Sequence, residues 1–87
     1  MKIIYYKQFR NHLKERIKPD PHLFDRFNER VRLFAQDPTD PVLEDHELAR
    51  DKENYRAFSI TSDIRVIYYK GKNFIYFTDI GTHKQVY

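Results

Sequence analysis

The hydrophobic pattern of this 87-residue sequence changes its period once, and that change limits the folds available to it. Between residues 7 and 36, apolar side chains recur every three or four positions, as on one side of a helix. From residue 55 to residue 80 they recur at every second position, as on one side of a strand. The pattern therefore predicts an α+β fold in which helices pack on a sheet.

A strand and a basic helix are predicted at the start of the chain. Residues 1–6 contain a β-branched and aromatic run that is typical of a strand. Residues 7–18 have an apolar side formed by Phe9, Leu13 and Ile17. Basic residues occupy most other positions, so we expect an amphipathic helix with a basic outer side.

A second helix is predicted to begin after Asp20 and to end before Pro38. The Asp20 side chain can accept hydrogen bonds from the first free N–H groups, and Pro21 loses nothing at the first helical position. Pro38 disfavours helical geometry in the residue before it. The break at Pro19 then leaves the two helices as a hairpin with a shared apolar side.

Three antiparallel strands are predicted in the last third of the chain, at residues 55–60, 64–70 and 74–80. Together with the first half they give the order β-α-α-β-β-β, with the helical hairpin on one face of a small, mainly antiparallel twisted sheet. The length fits one domain over residues 1–87.

Charge is distributed unevenly along the chain. Residues 1–36 hold nine basic and four acidic side chains, residues 37–54 two and seven, and residues 55–87 five and two. Residues 37–54, which also contain two prolines, are predicted to form an ordered surface loop with an extended piece near Val42 to Leu48. Basic segments on both sides of an acidic one can steer a polyanion.

Several functional classes are disfavoured by composition. The absence of cysteine excludes disulfides and Cys-based zinc sites, and two glycines are too few for a phosphate-binding loop. No histidine pair has metal-ligand spacing, so we expect neither a metal nor another cofactor. The start of the sequence resembles no signal peptide and no run is long enough to span a membrane, so we expect a cytoplasmic protein.

Strand parity predicts which side chains share a face of the sheet. Two-residue turns would pair Ile60 with Asp63 and Lys70 with Asn73. The face predicted to meet the helices contains Ala57, Ile64, Val66, Tyr68, Ile75 and Phe77. The outer face contains Arg56, Phe58, Arg65, Ile67, Tyr69, Phe74, Tyr76 and Thr78, with Arg65 opposite Thr78.

That outer face is suited to RNA. Aromatic rings such as Tyr69 and Tyr76 stack on unpaired bases, and arginine binds phosphate through two parallel hydrogen bonds. Ordinary strand packing and solubility would explain the same residues, so the pattern alone leaves both interpretations open.

The four histidines fall into two groups. His12 and His22 occupy charged helical positions and are predicted to be solvated. His46 and His83 lie where loops meet strands, which is where functional groups concentrate. A purely structural role remains the alternative for each of them.

Short motifs follow one another in a definite order over about residues 43–87. They are DHEL at 45–48, YRAFSI at 55–60, DIRVIYYK at 63–70, DIGTH at 79–83 and the terminal Tyr87. This order resembles the RelE/ParE superfamily of type II toxins, and most closely its RelE, YoeB and YafQ branch. The predicted strand and helical hairpin agree with the layout of that superfamily.

The resemblance implies a ribosome-dependent, metal-independent endoribonuclease that cleaves messenger RNA and is neutralised by a cognate antitoxin. The positions matching the family's functional residues are His46, Arg65, His83 and Tyr87, with Arg56 a further candidate. In that role His46 would be the base, Arg65 and Arg56 would stabilise the phosphate, and His83 would be the acid. Tyr87 would orient the substrate.

Ribosome binding is assigned to the basic helix, through phosphate contacts of Lys7, Arg10, Lys14 and Lys18.

Residues at the His46 position differ between branches of the family, so the identity of the base stays open. Two alternatives share the fold: a ParE-like inhibitor of DNA gyrase that cleaves nothing, and a non-catalytic or decayed toxin module.

Overall fold

A computed structural model describes residues 2–48 and 53–87 of the chain. The strands are β1 (Lys2–Tyr5), β2 (His46–Glu47), β3 (Tyr55–Ser59), β4 (Ile64–Lys70) and β5 (Phe74–Thr82). The helices are α1 (Lys7–His12), which continues as a π-helical segment (Leu13–Ile17), α2 (Pro21–Gln36) and α3 (His83–Val86). A 3₁₀ turn spans Pro41–Leu43.

The strands form one sheet in the order β1-β5-β4-β3-β2. β1 runs parallel to β5, and the other neighbours are antiparallel. The predicted α+β fold, with a helical hairpin on one face of a mainly antiparallel sheet, is confirmed.

The helical hairpin forms as its sequence pattern predicts. The Asp20 side chain accepts hydrogen bonds from the backbone N–H groups of His22 and Leu23 and caps α2. α2 ends at Gln36, next to the predicted break. The π-helical segment was not predicted; it is closed by a bond from Lys18 N–H to the Leu13 carbonyl.

The core lies between the hairpin and one face of the sheet and is rich in aromatic rings. Phe34 of α2 stacks on Phe58 of β3 at 4.4 Å between centroids and meets Phe77 of β5 edge-on at 5.8 Å. Phe9 of α1 contacts the same Phe77 ring at 5.3 Å. These four phenylalanines are at most 1% exposed, so water is excluded from this part of the core.

The predicted register of the first hairpin is wrong by one residue. Ser59 pairs with Arg65, and the Ile60 N–H bonds to the Ile64 carbonyl, which leaves three residues in the turn. The Thr61 hydroxyl stabilises this longer turn by accepting from the backbone N–H groups of Asp63 and Ile64.

This register changes the predicted faces of β3. Phe58 pairs with Val66, and Arg56 pairs with Tyr68, so Phe58 and Arg56 lie on the helix-facing side. Ala57 lies on the opposite, open face, although it was predicted to meet the helices. Phe58 and Arg56 therefore do not belong to the outer face of the sheet, where they were predicted to lie.

The second hairpin turns one residue later than predicted. Gly71 N–H bonds to the Phe74 carbonyl and Lys70 pairs with Ile75, so Lys72 and Asn73 form the turn. The pairing shifts by two residues, so each side chain keeps its predicted face. Tyr69 pairs with Tyr76 instead of Phe74, and both tyrosines stay on the open face.

A bulge between Ile67 and Tyr68 then changes the pairing of β4 with β5. Ile67 pairs with Asp79, and Arg65 lies opposite Gly81 rather than the predicted Thr78. The Thr78 hydroxyl donates to the Ile67 carbonyl at 3.2 Å beside this irregularity. The bulge allows both Phe77 and Ile80 to point into the core.

Besides the π-helical segment and the 3₁₀ turn, two elements were not predicted as such. The two-residue strand β2 lies inside the extended piece expected near Val42 to Leu48, while α3 had no counterpart. Residues 49–52 of the predicted surface loop lie outside the described residues. None of the helices that the structure describes has the length and apolarity needed to cross a bilayer.

Candidate active site

Tyr87 brings together three of the predicted site residues. Its hydroxyl lies 3.3 Å from Nε2 of His46, and its ring meets the His83 ring edge-on at 4.3 Å between centroids. Burial raises the pKa of the Tyr87 hydroxyl, and the positive charge of the nearby Arg65 guanidinium opposes this rise. His46, His83, Arg65 and Tyr87 thus form one cluster at the open face of the sheet.

The tautomer of His46 follows from its two partners. Nδ1 lies 2.9 Å from the Glu44 carbonyl, which can only accept, so Nδ1 carries the proton. Nε2 of the neutral imidazole therefore has a free lone pair directed at the Tyr87 hydroxyl, which donates to it. An exposed Nε2 with a lone pair is what a general base requires.

Arg65 is held by the turn between β3 and β4. Its Nη1 donates to the carbonyls of Thr61 and Ser62 at 2.9 and 3.1 Å. These bonds do not use the N–H groups on Nη2 and Nε, and the side chain is only half-buried. The turn therefore fixes a guanidinium that retains donors for an anion.

Burial raises the pKa of Tyr87 above its ordinary value, while the charge and hydrogen bond of Arg65 oppose the rise. Tyr87 therefore stays protonated at neutral pH. Its hydroxyl is a donor to His46 in that state, rather than a base that competes with it.

The short helix α3 fixes His83 and Tyr87 relative to the sheet. Thr82 and Gln85 form a capping box, in which each side chain bonds to the backbone N–H of the other at 3.3 and 2.8 Å. Gly81 allows this packing, because a Cβ there would lie 2.5 Å from Gln85 Oε1 and 2.7 Å from Arg16 Nη1.

Arg56 does not join the cluster. It lies on the helix-facing side of β3, where its Nε donates to Asp45 Oδ1 at 2.6 Å and its Nη1 lies 3.5 Å from Glu47 Oε1. The Tyr68 hydroxyl donates to the other Asp45 oxygen at 2.5 Å. The predicted position of Arg56 on the same face as Arg65 is therefore wrong, since the sheet separates the two side chains.

The other two histidines differ from one another. His22 is exposed, as predicted. His12 is not solvated: its Nδ1 donates to Asp79 Oδ1 at 2.5 Å, and the Arg16 guanidinium lies 3.7 Å from the same oxygen. His12 and Arg16 therefore link α1 and its π-helical continuation to β5. They do not belong to the solvated side of this helical stretch.

The predicted RNA-binding residues are accessible. Four basic side chains of the first helical stretch are exposed: Lys7, Arg10, Lys14 and Lys18. Tyr69 and Tyr76 are half-buried on the open face with ring centroids 6.2 Å apart, and Tyr55 meets Tyr69 edge-on at 5.2 Å.

A cleft of about 300 Å³ crosses the open face beside α3. Its lining includes Tyr6, Tyr55, Ile67, Thr78 and Val86. His46 of β2 and Ile67 of β4 both pair with Ala57 of β3, so the three residues lie side by side on the open face. The cleft therefore lies on the same face of the sheet as the cluster, and its lining residue Val86 is next to Tyr87 in the chain. In the described part of the chain, no three carboxylate or imidazole groups are arranged to hold a metal ion.

Two contributions to the site were missed by sequence reasoning. Glu44 sets the His46 tautomer through its backbone carbonyl, which no side-chain motif reveals. The helix carrying His83 and Tyr87 had a visible signal, since Thr82 and Gln85 have the spacing of a capping box.

Known structures share this fold over nearly the whole chain. YafQ from E. coli is 22% identical with a TM-score of 0.82, over 99% of this chain and 97% of that one. The E. coli DinJ-YafQ complex gives 23% identity and a TM-score of 0.83, over 99% and 97%. A YoeB/ParE toxin from Agrobacterium tumefaciens gives 18% and 0.78, over 95% and 99%.

None of the curated proteins matches the chain. A family model does match it, over residues 1–87, and is described as YafQ, a bacterial toxin of type II toxin-antitoxin systems. The match covers every element described above, including the strand and turn that carry His46 and the helix that carries His83. The chain therefore belongs to the YafQ family of type II toxins.

Proposed function

We propose that this toxin is a ribosome-dependent endoribonuclease that cleaves messenger RNA without a metal ion. The observation that carries the proposal is the cluster around Tyr87, which joins two imidazoles and a guanidinium at an accessible face. Cleaving RNA with side chains alone requires a base, an acid and a cation for the phosphate. This cluster supplies one group for each task.

The reaction begins when His46 Nε2 removes the proton of a ribose 2′-hydroxyl. The 2′-oxygen then attacks the adjacent phosphorus, while Arg65 stabilises the charge that gathers on the non-bridging oxygens. His83, in its protonated form, gives its proton to the departing 5′-oxygen. The bond from phosphorus to that oxygen breaks, leaving a 2′,3′-cyclic phosphate and a 5′-hydroxyl.

The substrate hydroxyl would replace the Tyr87 hydroxyl at Nε2. The bond between Tyr87 and His46 is long, at 3.3 Å, so little energy opposes this exchange. Tyr87 would then be free to orient the phosphate or a base.

Message and ribosome are proposed to contact different surfaces. Nucleotides next to the cleaved bond would follow the cleft and stack on Tyr69 and Tyr76. Lys7, Arg10, Lys14 and Lys18 would bind ribosomal RNA through its phosphates, in a salt-dependent manner.

A neutralising antitoxin is the proposed protein partner. One of the similar structures is the E. coli complex of YafQ with DinJ, and this chain shares the fold of that toxin. We propose that residues 1–87 act as one toxin domain in the cytoplasm, where both messages and ribosomes are found. Co-purification of the toxin with the product of a neighbouring gene tests this assignment, and failure of that product to bind would contradict it.

The nuclease proposal is tested by primer extension on RNA from cells after brief induction. Wild-type toxin should produce new 5′ ends in ribosome-bound messages. His83→Ala should reduce cleavage by about 10² to 10⁴-fold and Arg65→Ala by about 10² to 10³-fold, because each removes one catalytic contribution. His22→Ala, which alters an exposed histidine outside the cluster, is the matched control and should cleave normally.

Circular dichroism of each variant shows whether lost cleavage reflects lost folding. Intact messages together with defects in DNA supercoiling would favour the gyrase-inhibitor alternative. Intact messages with normal supercoiling would favour a non-catalytic toxin module.

A further inference from the structure

Behind His46, on the helix-facing side of the sheet, three side chains form a connected network. The Asp45 carboxylate is held at both oxygens, by Arg56 Nε at 2.6 Å and by the Tyr68 hydroxyl at 2.5 Å. Only 8% of the Asp45 side chain is exposed, so this carboxylate is well shielded from water. None of the three belongs to the cluster around Tyr87.

The network is connected to His46 through the backbone of β2. Side chains alternate along a strand, so Asp45 and Glu47 point away from the face that carries His46. Arg56 contacts both of these neighbours, with its Nη1 3.5 Å from Glu47 Oε1. A single guanidinium thus holds the residue before the imidazole and the residue after it.

The position of His46 depends strongly on such local anchors. β2 is a strand of two residues that lies at the end of the strand order and pairs with β3. Glu44, which orients the imidazole, adopts a left-handed backbone conformation with φ 49°. Its side chain accepts from the buried Ser59 hydroxyl at 3.2 Å. The segment before His46 is therefore held to β3 at Ser59, while Asp45 is held from the helix-facing side by Arg56 and Tyr68.

We propose that Arg56, Asp45 and Tyr68 are positioning residues that hold the His46 imidazole at the angle and in the tautomer required for a general base. This inference rests on the proposed nuclease function. It also gives Arg56 a role that its location allows, since the sheet keeps it away from a substrate on the open face.

Stability alone is a poor explanation for the network. An ion pair between a shielded carboxylate and a partly exposed guanidinium adds little net free energy of folding, because Asp45 loses its hydration and water screens the charge of Arg56. What such a pair does provide is a fixed geometry, and a displacement of about 1 Å at a catalytic group can cost about 100-fold in rate.

Two variants separate positioning from folding. Tyr68→Phe removes one oxygen atom, and with it the bond to Asp45, while the ring can keep its packing against Phe34 and Phe77. Arg56→Gln removes the charge opposite Asp45. Arg56→Lys restores the charge, but not the planar guanidinium that contacts both Asp45 and Glu47. Tyr5→Phe is the matched control, because it removes a hydroxyl from a half-buried tyrosine on β1, away from His46.

Two measurements are made on each purified full-length protein. One is kcat and KM for cleavage of message on programmed ribosomes, and the other is the imidazole nitrogen NMR spectrum of His46. We expect Tyr68→Phe and Arg56→Gln to lower kcat by about 10- to 100-fold with little change in KM. We expect Arg56→Lys to recover part of this loss, and Tyr5→Phe to match wild type.

The NMR spectrum of wild type should show protonation at Nδ1 in the neutral state, and the first two variants should show a mixture of tautomers. If Tyr68→Phe keeps both the wild-type kcat and the wild-type imidazole spectrum, the proposal is wrong. If the wild-type protein cleaves no message, the nuclease function fails, but the imidazole spectra still decide whether the network positions His46.

Discussion

The two faces of the C-terminal sheet perform different tasks. The helix-facing side carries Phe58 and Phe77, which are fully buried against the helical hairpin. The open side carries the cluster around Tyr87, whose members remain accessible to a ligand. The same strands therefore supply stability through one set of alternate residues and chemistry through the other. The two functions meet at the start of β2, since His46 and the preceding Asp45 point to opposite sides.

The largest difference between the faces is expected in stability. Phe34→Ala should lower the free energy of unfolding by about 3 to 5 kcal/mol, because it removes a 1% exposed ring that packs on Phe58, Tyr68 and Phe77. Tyr69→Ala on the open face should cost no more than about 2 kcal/mol, because that ring is only half-buried. Urea unfolding followed by circular dichroism measures both. Equal losses would mean that the faces do not differ as described.

A smaller effect should appear at alkaline pH. Burial and the hydrogen bond to Asp45 raise the pKa of Tyr68 above its ordinary value of 10.0. A phenol with a raised pKa contributes its full stability below pH 10 and loses that contribution as the pH rises further, because the unfolded chain ionises first. Wild type should therefore lose stability above pH 10 more steeply than Tyr68→Phe. Urea midpoints measured across this range test it, and parallel curves for the two proteins would contradict it.

Much of the fold follows from local patterns in the sequence. Periodicity alone places the hairpin, and the Asp20 cap and Pro38 fix the limits of α2 closely. The faces of β3 were harder to predict, because parity depends on the length of a single turn. The Thr61 hydroxyl stabilises a three-residue turn, and that one added residue moves Arg56 and Phe58 to the helix-facing side.

The candidate site is less accessible to pattern reasoning than the fold. His46, Arg65, His83 and Tyr87 were identified from the family resemblance, not from periodicity. The contact between Tyr87 and His46 joins positions 41 residues apart, so no local motif indicates it. The His12 pair with Asp79 spans 67 residues and was missed for the same reason. In both cases the partner depends on how strands and helices pack.

The chemical nature of the cut ends tests the central claim most directly. Message cleaved on the ribosome should carry a 2′,3′-cyclic phosphate upstream and a 5′-hydroxyl downstream, as mass spectrometry of the fragments would show. A 2′-deoxynucleotide at the cleaved position should block the reaction, because His46 then has no hydroxyl to activate. Fragments that end in a 3′-hydroxyl and a 5′-phosphate, or cleavage that persists at the deoxynucleotide, would contradict a reaction initiated by the 2′-hydroxyl at this face of the sheet.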